Sequence, residues 1–139
     1  MIRKVIAVVV GLIVGALANM MILMVSILQN PLPEGMDVND AKQMAEYVNQ
    51  LPLSAFMITL AAHAGGALAG AFVCSAIMRK RWLRGMIIIG TVIMIGGIIN
   101  LYSISHPTWF AIADVLLYLP AALVGGFLAK PFWKAGETA

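Results

Sequence analysis

Two ionisable side chains, His63 and Asp114, stand within apolar stretches of the sequence, where a paired imidazole and carboxyl could exchange a proton. His63 lies in AAHAGGALAG, residues 61–70, whose other residues are all apolar and nearly all small. Burial disfavours the charged form of each group, whereas their mutual attraction favours it. Such a pair can therefore gain and lose a proton near neutral pH.

Further polar side chains occur at similar depths in other apolar stretches. At a rise of about 1.5 Å per residue, His63, Asn19 and Tyr118 lie near the middle of their segments. Asp114 and Asn100 lie nearer the outer end. We therefore expect a polar cluster, reached from the outer side, that comprises His63, Asp114, Asn19, Asn100 and Tyr118. Two interpretations stay open: hydrogen bonds that fix helix register, with the asparagines as interhelical contacts, or a proton relay or cation site.

The remaining reactive residues give no sign of a metal or cofactor site. The two histidines, His63 and His106, lie in different segments, and the single cysteine, Cys74, excludes an internal disulfide or a CxxC redox pair. No Cys/His cluster has metal-ligand spacing, so we expect neither a metal nor a cofactor. His106 is interpreted as a solvated turn residue. Because no activated nucleophile or carboxylate pair is visible, an enzyme is the least favoured class.

The elements that must position these residues are four long apolar runs. The sequence is 62% hydrophobic and 11% charged, whereas soluble domains are about 25% charged. Each run can cross a hydrocarbon layer of about 30 Å, and backbone hydrogen bonding in lipid makes each a helix. The sequence therefore predicts an all-α, four-helix transmembrane bundle as a single membrane domain, residues 1–139, with spans at about 5–28, 53–78, 83–104 and 108–129.

Small residues share helix faces with the polar side chains. At about 100° per residue, His63, Gly66 and Gly70 lie within roughly 60° of one another. Small residues mark the faces where membrane helices approach closely, so we expect His63 to face protein rather than lipid. The glycines predicted to pack against other helices are Gly11, Gly15, Gly66, Gly70, Gly96, Gly97 and Gly125.

The loop between the first two runs, residues 29–52, is the one sizeable polar segment. Asp37 and Asp40 are typical of a helix N-terminus. Apolar residues follow at helical spacing, namely Met44, Tyr47, Val48 and Leu51. The pattern predicts a short amphipathic helix on the outer membrane face.

Basic residues set the orientation. One side of the predicted membrane carries Arg3, Lys4, Arg79, Lys80, Arg81, Arg84, Lys130 and Lys134, whereas the other carries only Lys42. The positive-inside rule therefore predicts that both termini are cytoplasmic. The formal net charge of +3 follows from this topology, so we expect no nucleic-acid partner. Tryptophans stand near the ends of the predicted spans, as in interfacial belts, at Trp82, Trp109 and Trp133.

Four stretches carry a resemblance: NPLPEGMDVND, QLPLSAF, INLYSISHPTWF and DVLLYLPAALVGG. Together they resemble a group of small four-span bacterial inner-membrane proteins with a proline-rich outer loop, an HP-x-WF turn and an LPAA element. The resemblance implies topology and a bacterial inner-membrane location, and no activity. In size the chain is also similar to small multidrug-resistance transporters, which are four-helix dimers with a glutamate in the first helix. Here that helix has Asn19 and no carboxylate, which argues against drug–proton antiport.

Two functions are compatible with the sequence. In the first, the protein is a non-enzymatic packing or accessory component of the lipid bilayer. It would then form a homo-oligomer or bind a membrane partner subunit, because its small-residue faces exceed those that one bundle needs. The alternative is a proton-coupled or small-solute and ion transporter or channel that uses His63 and Asp114.

Overall fold

The computed structural model describes residues 2–134, with side chains described as far as residue 132. In that range the regular structure is entirely helical, and the prediction of an all-α fold is confirmed. The helices are α1 (Ile2–Gln29), α2 (Ala41–Gln50), α3 (Leu53–Met78), α4 (Trp82–Ser103), α5 (Thr108–Leu128) and α6 (Lys130–Lys134). The expectations for Trp133 and Lys134 fall outside the described side chains.

Three helical stretches among the described residues are long and apolar enough to cross a membrane: Ile2–Gln29, Leu53–Ser103 and Thr108–Phe132. The middle stretch of 51 residues contains both α3 and α4, joined by a 3-10 turn at Arg79–Arg81. Arg79 has a left-handed φ of 52°, and at this residue the chain reverses so that α4 runs back along α3. With 26 and 22 residues, each of these two helices is long enough for a hydrocarbon layer of about 30 Å.

The directions of the long helices follow from contacts at one end of the bundle. Arg3 Nε donates a hydrogen bond to the Ile77 carbonyl at 3.0 Å, so α1 begins where α3 ends. Lys130 Nζ lies 4.3 Å from the centroid of the Trp82 ring, so α5 ends where α4 begins. We call this the basic end. The opposite end carries α2 and is called the α2 end.

Glycines bring α1 and α3 into backbone contact. A Cβ built on Gly11 would lie 2.8 Å from the Gly70 carbonyl oxygen, and one built on Gly70 would lie 2.7 Å from that of Gly11. Gly15 and Gly66 form the same reciprocal contact, at 2.8 and 2.9 Å. The two helices thus cross antiparallel through paired GxxxG faces, with no room for side chains between them.

The remaining predicted packing glycines differ from one another. A Cβ on Gly97 would overlap the Tyr118 hydroxyl, and one on Gly125 would overlap the Leu68 carbonyl, so both positions require glycine for a close approach. Among the described residues, Gly96 packs against no other helix of this chain, because a Cβ there meets nothing within 4 Å. Successive residues of a helix point about 100° apart. Gly97 therefore faces Tyr118, whereas Gly96 faces open space.

The short helix α2 packs over the α2 end of α3 and α5. Its Val48 is buried against Phe56 and Phe110, and the Tyr47 hydroxyl donates to the Asn30 carbonyl at 2.6 Å. Asp40 is the N-cap: the backbone N–H groups of Gln43 and Lys42 donate to its carboxylate and hold the pKa of Asp40 below its ordinary value. The predicted amphipathic segment is thus a helix whose apolar face meets the bundle.

We expect Gly70→Ala to reduce the free energy of unfolding by about 1–3 kcal/mol, because the added methyl group meets the Gly11 carbonyl and both backbones must separate. Gly96→Ala is the matched control. Its methyl group enters open space, so the variant should be neutral or gain up to about 1 kcal/mol from helix propensity. Reversible unfolding in mixed detergent micelles measures both. Equal effects of the two substitutions would contradict the glycine contact.

Candidate functional site

Three side chains from α3 and α5 form a closed hydrogen-bonded triad. His63 Nδ1 lies 2.6 Å from Asp114 Oδ1. The Tyr118 hydroxyl donates to Asp114 Oδ2 at 3.0 Å, and its oxygen lies 2.9 Å from His63 Nδ1. The spacing of Asp114 and Tyr118 by four residues places both on one face of α5. Because α3 and α5 run parallel, that face meets His63 halfway along the bundle.

The donors and acceptors of the triad follow from the chemistry of its groups when Asp114 is ionised. Asp114 has 0% exposed surface, and an ionised carboxylate only accepts hydrogen bonds. The His63 Nδ1–H therefore donates to Oδ1 while the Tyr118 O–H donates to Oδ2. The imidazole keeps one free nitrogen, Nε2, which has no hydrogen-bond partner among the described side chains. The His63 side chain is 19% exposed, so its ring remains accessible from one side.

A cleft of about 430 Å³ opens beside the imidazole. Helices α1, α3 and α4 form its walls, and Tyr118 of α5 lies at its floor. Its polar lining residues are His63, Tyr118, Asn19 and Asn100. The remaining lining residues are apolar or small, namely Leu12, Gly15, Ala16, Gly66, Ile93, Gly96 and Gly97.

The cleft opens sideways between α1 and α4. On its basic-end side, Ile89 and Ile93 of α4 lie against the packed glycines of α1. Nearer the α2 end, Ala16, Gly96 and Asn100 are exposed, so the two helices leave a gap there. The opening therefore faces the surface that would contact lipid in a membrane.

The bundle is closed on the basic-end side of the triad. Ala67, Ala71, Cys74, Ile89 and Ala122 have no exposed surface there and pack into one apolar cluster with Tyr118. The triad thus stands at the boundary between an open cleft and a buried apolar core.

The five residues of the predicted polar cluster divide into two groups. His63, Asp114 and Tyr118 bond to one another, whereas Asn19 and Asn100 only line the cleft. Asn19 Oδ1 is buried without a hydrogen-bond partner among the described residues. Sequence reasoning missed the apolar lining, including Leu12, Ala16 and Ile93. Helical spacing could have identified two of these lining residues, because Ala16 and Leu12 lie three and seven residues before Asn19, on the same face of α1.

The second histidine stands apart from the site. His106 Nδ1–H donates to the Ile104 carbonyl at 2.7 Å, and the ring stacks on Phe110 at the α2 end. Among the described residues, no group of three or more His, Cys, Asp or Glu side chains is placed to hold a metal ion.

The chain was compared with protein families, curated proteins and solved structures, and none of the three comparisons finds a match. The resemblance to small four-span bacterial proteins therefore stays a prediction. What the chain can do has to be argued from the triad and its cleft.

We expect Tyr118→Phe to lower the free energy of unfolding by about 1–3 kcal/mol, because Asp114 Oδ2 is left buried without its donor. Tyr102→Phe is the matched control, since Tyr102 is 90% exposed. Denaturation in mixed micelles compares the two variants. A Tyr118→Phe protein as stable as Tyr102→Phe would show that the hydroxyl is not needed to satisfy the carboxylate.

Proposed function

We propose that the chain is a four-span protein of the bacterial inner membrane with its basic end in the cytoplasm. The lengths of α1, α3, α4 and α5 support four crossings. The positive-inside rule supports the orientation, because the basic side chains gather at one end of the bundle. In this arrangement both termini are cytoplasmic, α2 lies on the outer surface, and the triad lies within the hydrocarbon layer.

Within that frame, the protein takes up and releases a proton at the His63–Asp114 pair and couples this exchange to the passage of a small solute. One observation carries the proposal: Nδ1 is held by Asp114 at 2.6 Å, and the imidazole lines a cleft of about 430 Å³. A histidine with one nitrogen fixed and the other accessible is suited to proton exchange near neutral pH. The cleft volume is within the range of small-molecule sites, about 300–1,000 Å³.

The packing around the triad supports transport rather than static binding. A transporter exposes its site to one side of the membrane at a time. The cleft reaches the triad from the gap between α1 and α4, whereas the apolar cluster around Ile89 and Cys74 closes the basic-end side. The site is thus reached from the lipid-facing surface near the α2 end and is closed toward the basic end, and this one-directional access supports a transporter state that takes its solute from the outer half of the bilayer.

A second candidate function is that of a non-enzymatic accessory component that packs with another copy or a partner subunit. Its supporting observation is the exposed Gly96 with Asn100 one turn further along α4. A small residue followed by an amide suits close helix–helix contact in lipid, where interhelical amide hydrogen bonds contribute about 0.5–2 kcal/mol.

The transport proposal predicts proton flux in proteoliposomes under an imposed pH gradient. We expect His63→Ala and Asp114→Asn each to reduce this flux by at least about tenfold, because either change removes one member of the exchanging pair. His106→Gln is the matched control and should retain the flux, since His106 lies at the α2 end away from the cleft.

Stability is measured on the same preparations, so that a folded but inactive variant is recognised. If the native protein carries no flux, and His63→Ala only destabilises it, the proton-exchange function is wrong. Native mass spectrometry in lipid then tests the accessory function, which a strictly monomeric protein would contradict.

A further inference from the structure

An ionised Asp114 carboxylate, buried inside the bundle, requires a compensating positive charge. Leaving an unpaired carboxylate inside a membrane bundle is costly. The groups that face the His63–Asp114 pair from the neighbouring helices are uncharged: Tyr118 on α5, Asn19 on α1 and Asn100 on α4. Among the described residues, His63 is therefore the one side chain at the cleft that can supply the charge, by holding a proton at Nε2.

A cation in the cleft can take the place of that proton. When Nε2 is deprotonated, the pair has a net negative charge, and the imidazole that lines the cleft carries a lone pair at Nε2. A monovalent cation bound there restores the neutral site. The arriving charge and the departing proton balance, so the exchange moves one positive charge in and one out.

The polar lining favours a cation with N–H donors. Deprotonated Nε2 is a hydrogen-bond acceptor, and Asn19 Oδ1 is a buried acceptor without a donor. Leaving such an acceptor unsatisfied costs free energy, and a donor in the cleft allows the Asn19 amide to turn its oxygen toward it. A primary or secondary ammonium supplies both the charge and at least two N–H groups, whereas a quaternary ammonium supplies only the charge.

The rest of the lining indicates an apolar body on the ligand. Leu12, Ala16 and Ile93 line the cleft beside the polar residues. The opening between Ala16 and Gly96 faces the surface that the proposed topology exposes to acyl chains. An amphiphile dissolved in the bilayer can therefore enter sideways with its polar group directed to His63.

We propose that the cleft binds a primary or secondary ammonium ion with an apolar body, and that this ion displaces the proton from His63 Nε2. The inference rests on the proposed function, since it names the solute that exchanges with the proton. Because proton and ammonium compete, ammonium affinity rises about tenfold per pH unit while Nε2 is protonated and levels off once it is neutral. The absence of a carboxylate from α1 is no obstacle, because the negative charge that attracts the ammonium ion comes from Asp114 on α5.

The test uses the full chain in lipid nanodiscs and titration calorimetry in two buffers of different ionisation enthalpy, with empty nanodiscs subtracted. The probes are 2-phenylethylammonium, its trimethylated quaternary analogue and the neutral 2-phenylethanol. We expect the primary ammonium to bind with release of about one proton at low pH. The quaternary analogue should bind at least about tenfold weaker for lack of N–H donors, and the alcohol should bind without proton release.

Two variants locate the binding. The double variant His63→Gln with Asp114→Asn replaces the charged pair with neutral amides of similar shape. Its affinity for the primary ammonium should fall by at least about tenfold. Its affinity for 2-phenylethanol should be unchanged, which also shows that the double variant is folded. Gly96→Leu projects a side chain into the open cleft and should weaken all probes while leaving the triad intact.

Ammonium binding without proton release, or a quaternary analogue that binds as tightly as the primary one, would overturn the inference. So would the absence of ammonium binding above that of empty nanodiscs. Nitrogen NMR of the His63 ring separates this failure from that of the proposed function. A ring that titrates between about pH 4 and 9 without binding ammonium overturns the ligand assignment alone, whereas a ring that does not titrate overturns proton exchange as well.

Discussion

The complete burial of the Asp114 carboxylate is the constraint on which the rest of the structure depends. Both of its oxygens need donors, and these come from His63 on α3 and Tyr118 on its own helix. The hydroxyl of Tyr118 in turn lies where a Cβ at residue 97 would be, so α4 must present Gly97 there. One carboxylate thereby sets the register of three helices.

Helix α1 contributes to the site without joining the triad. Its glycine contact with α3 is so close that the two backbones touch at Gly11 and Gly15. One turn further along, Asn19 is brought beside the imidazole as part of the cleft wall. Ile89 and Ile93 of α4 lie against Gly11 and Gly15 of α1, whereas Ala16, Gly96 and Asn100 are exposed nearer the α2 end, so the two helices leave a gap there. The crossing of α1 and α3 thus accounts both for the tight packing at the basic end and for the access to the cleft nearer the α2 end.

The sequence permitted prediction of the helices and of the pair, and left the shape of the cleft undetermined. Long apolar runs define helix bounds closely. A histidine that shares a helix face with glycines faces protein, because such faces pack against other helices. Depth and face, however, do not fix how far neighbouring helices rotate or diverge. Periodicity therefore could not tell Gly97, which packs, from Gly96, which does not. Nor could it tell that Asn19 and Asn100 would stand in the wall of a cleft instead of bonding to the triad.

The order of the triad along the chain bears on how the protein is made. His63 precedes Asp114 by 51 positions, and chains fold from the N-terminus as they are synthesised. Helix α3, which carries His63, has therefore emerged from the ribosome before α5, which carries Asp114. In the proposed membrane topology, the Asp114 carboxyl group can bond to His63 as soon as α5 enters the bilayer, so α5 is held by a partner that is already in place.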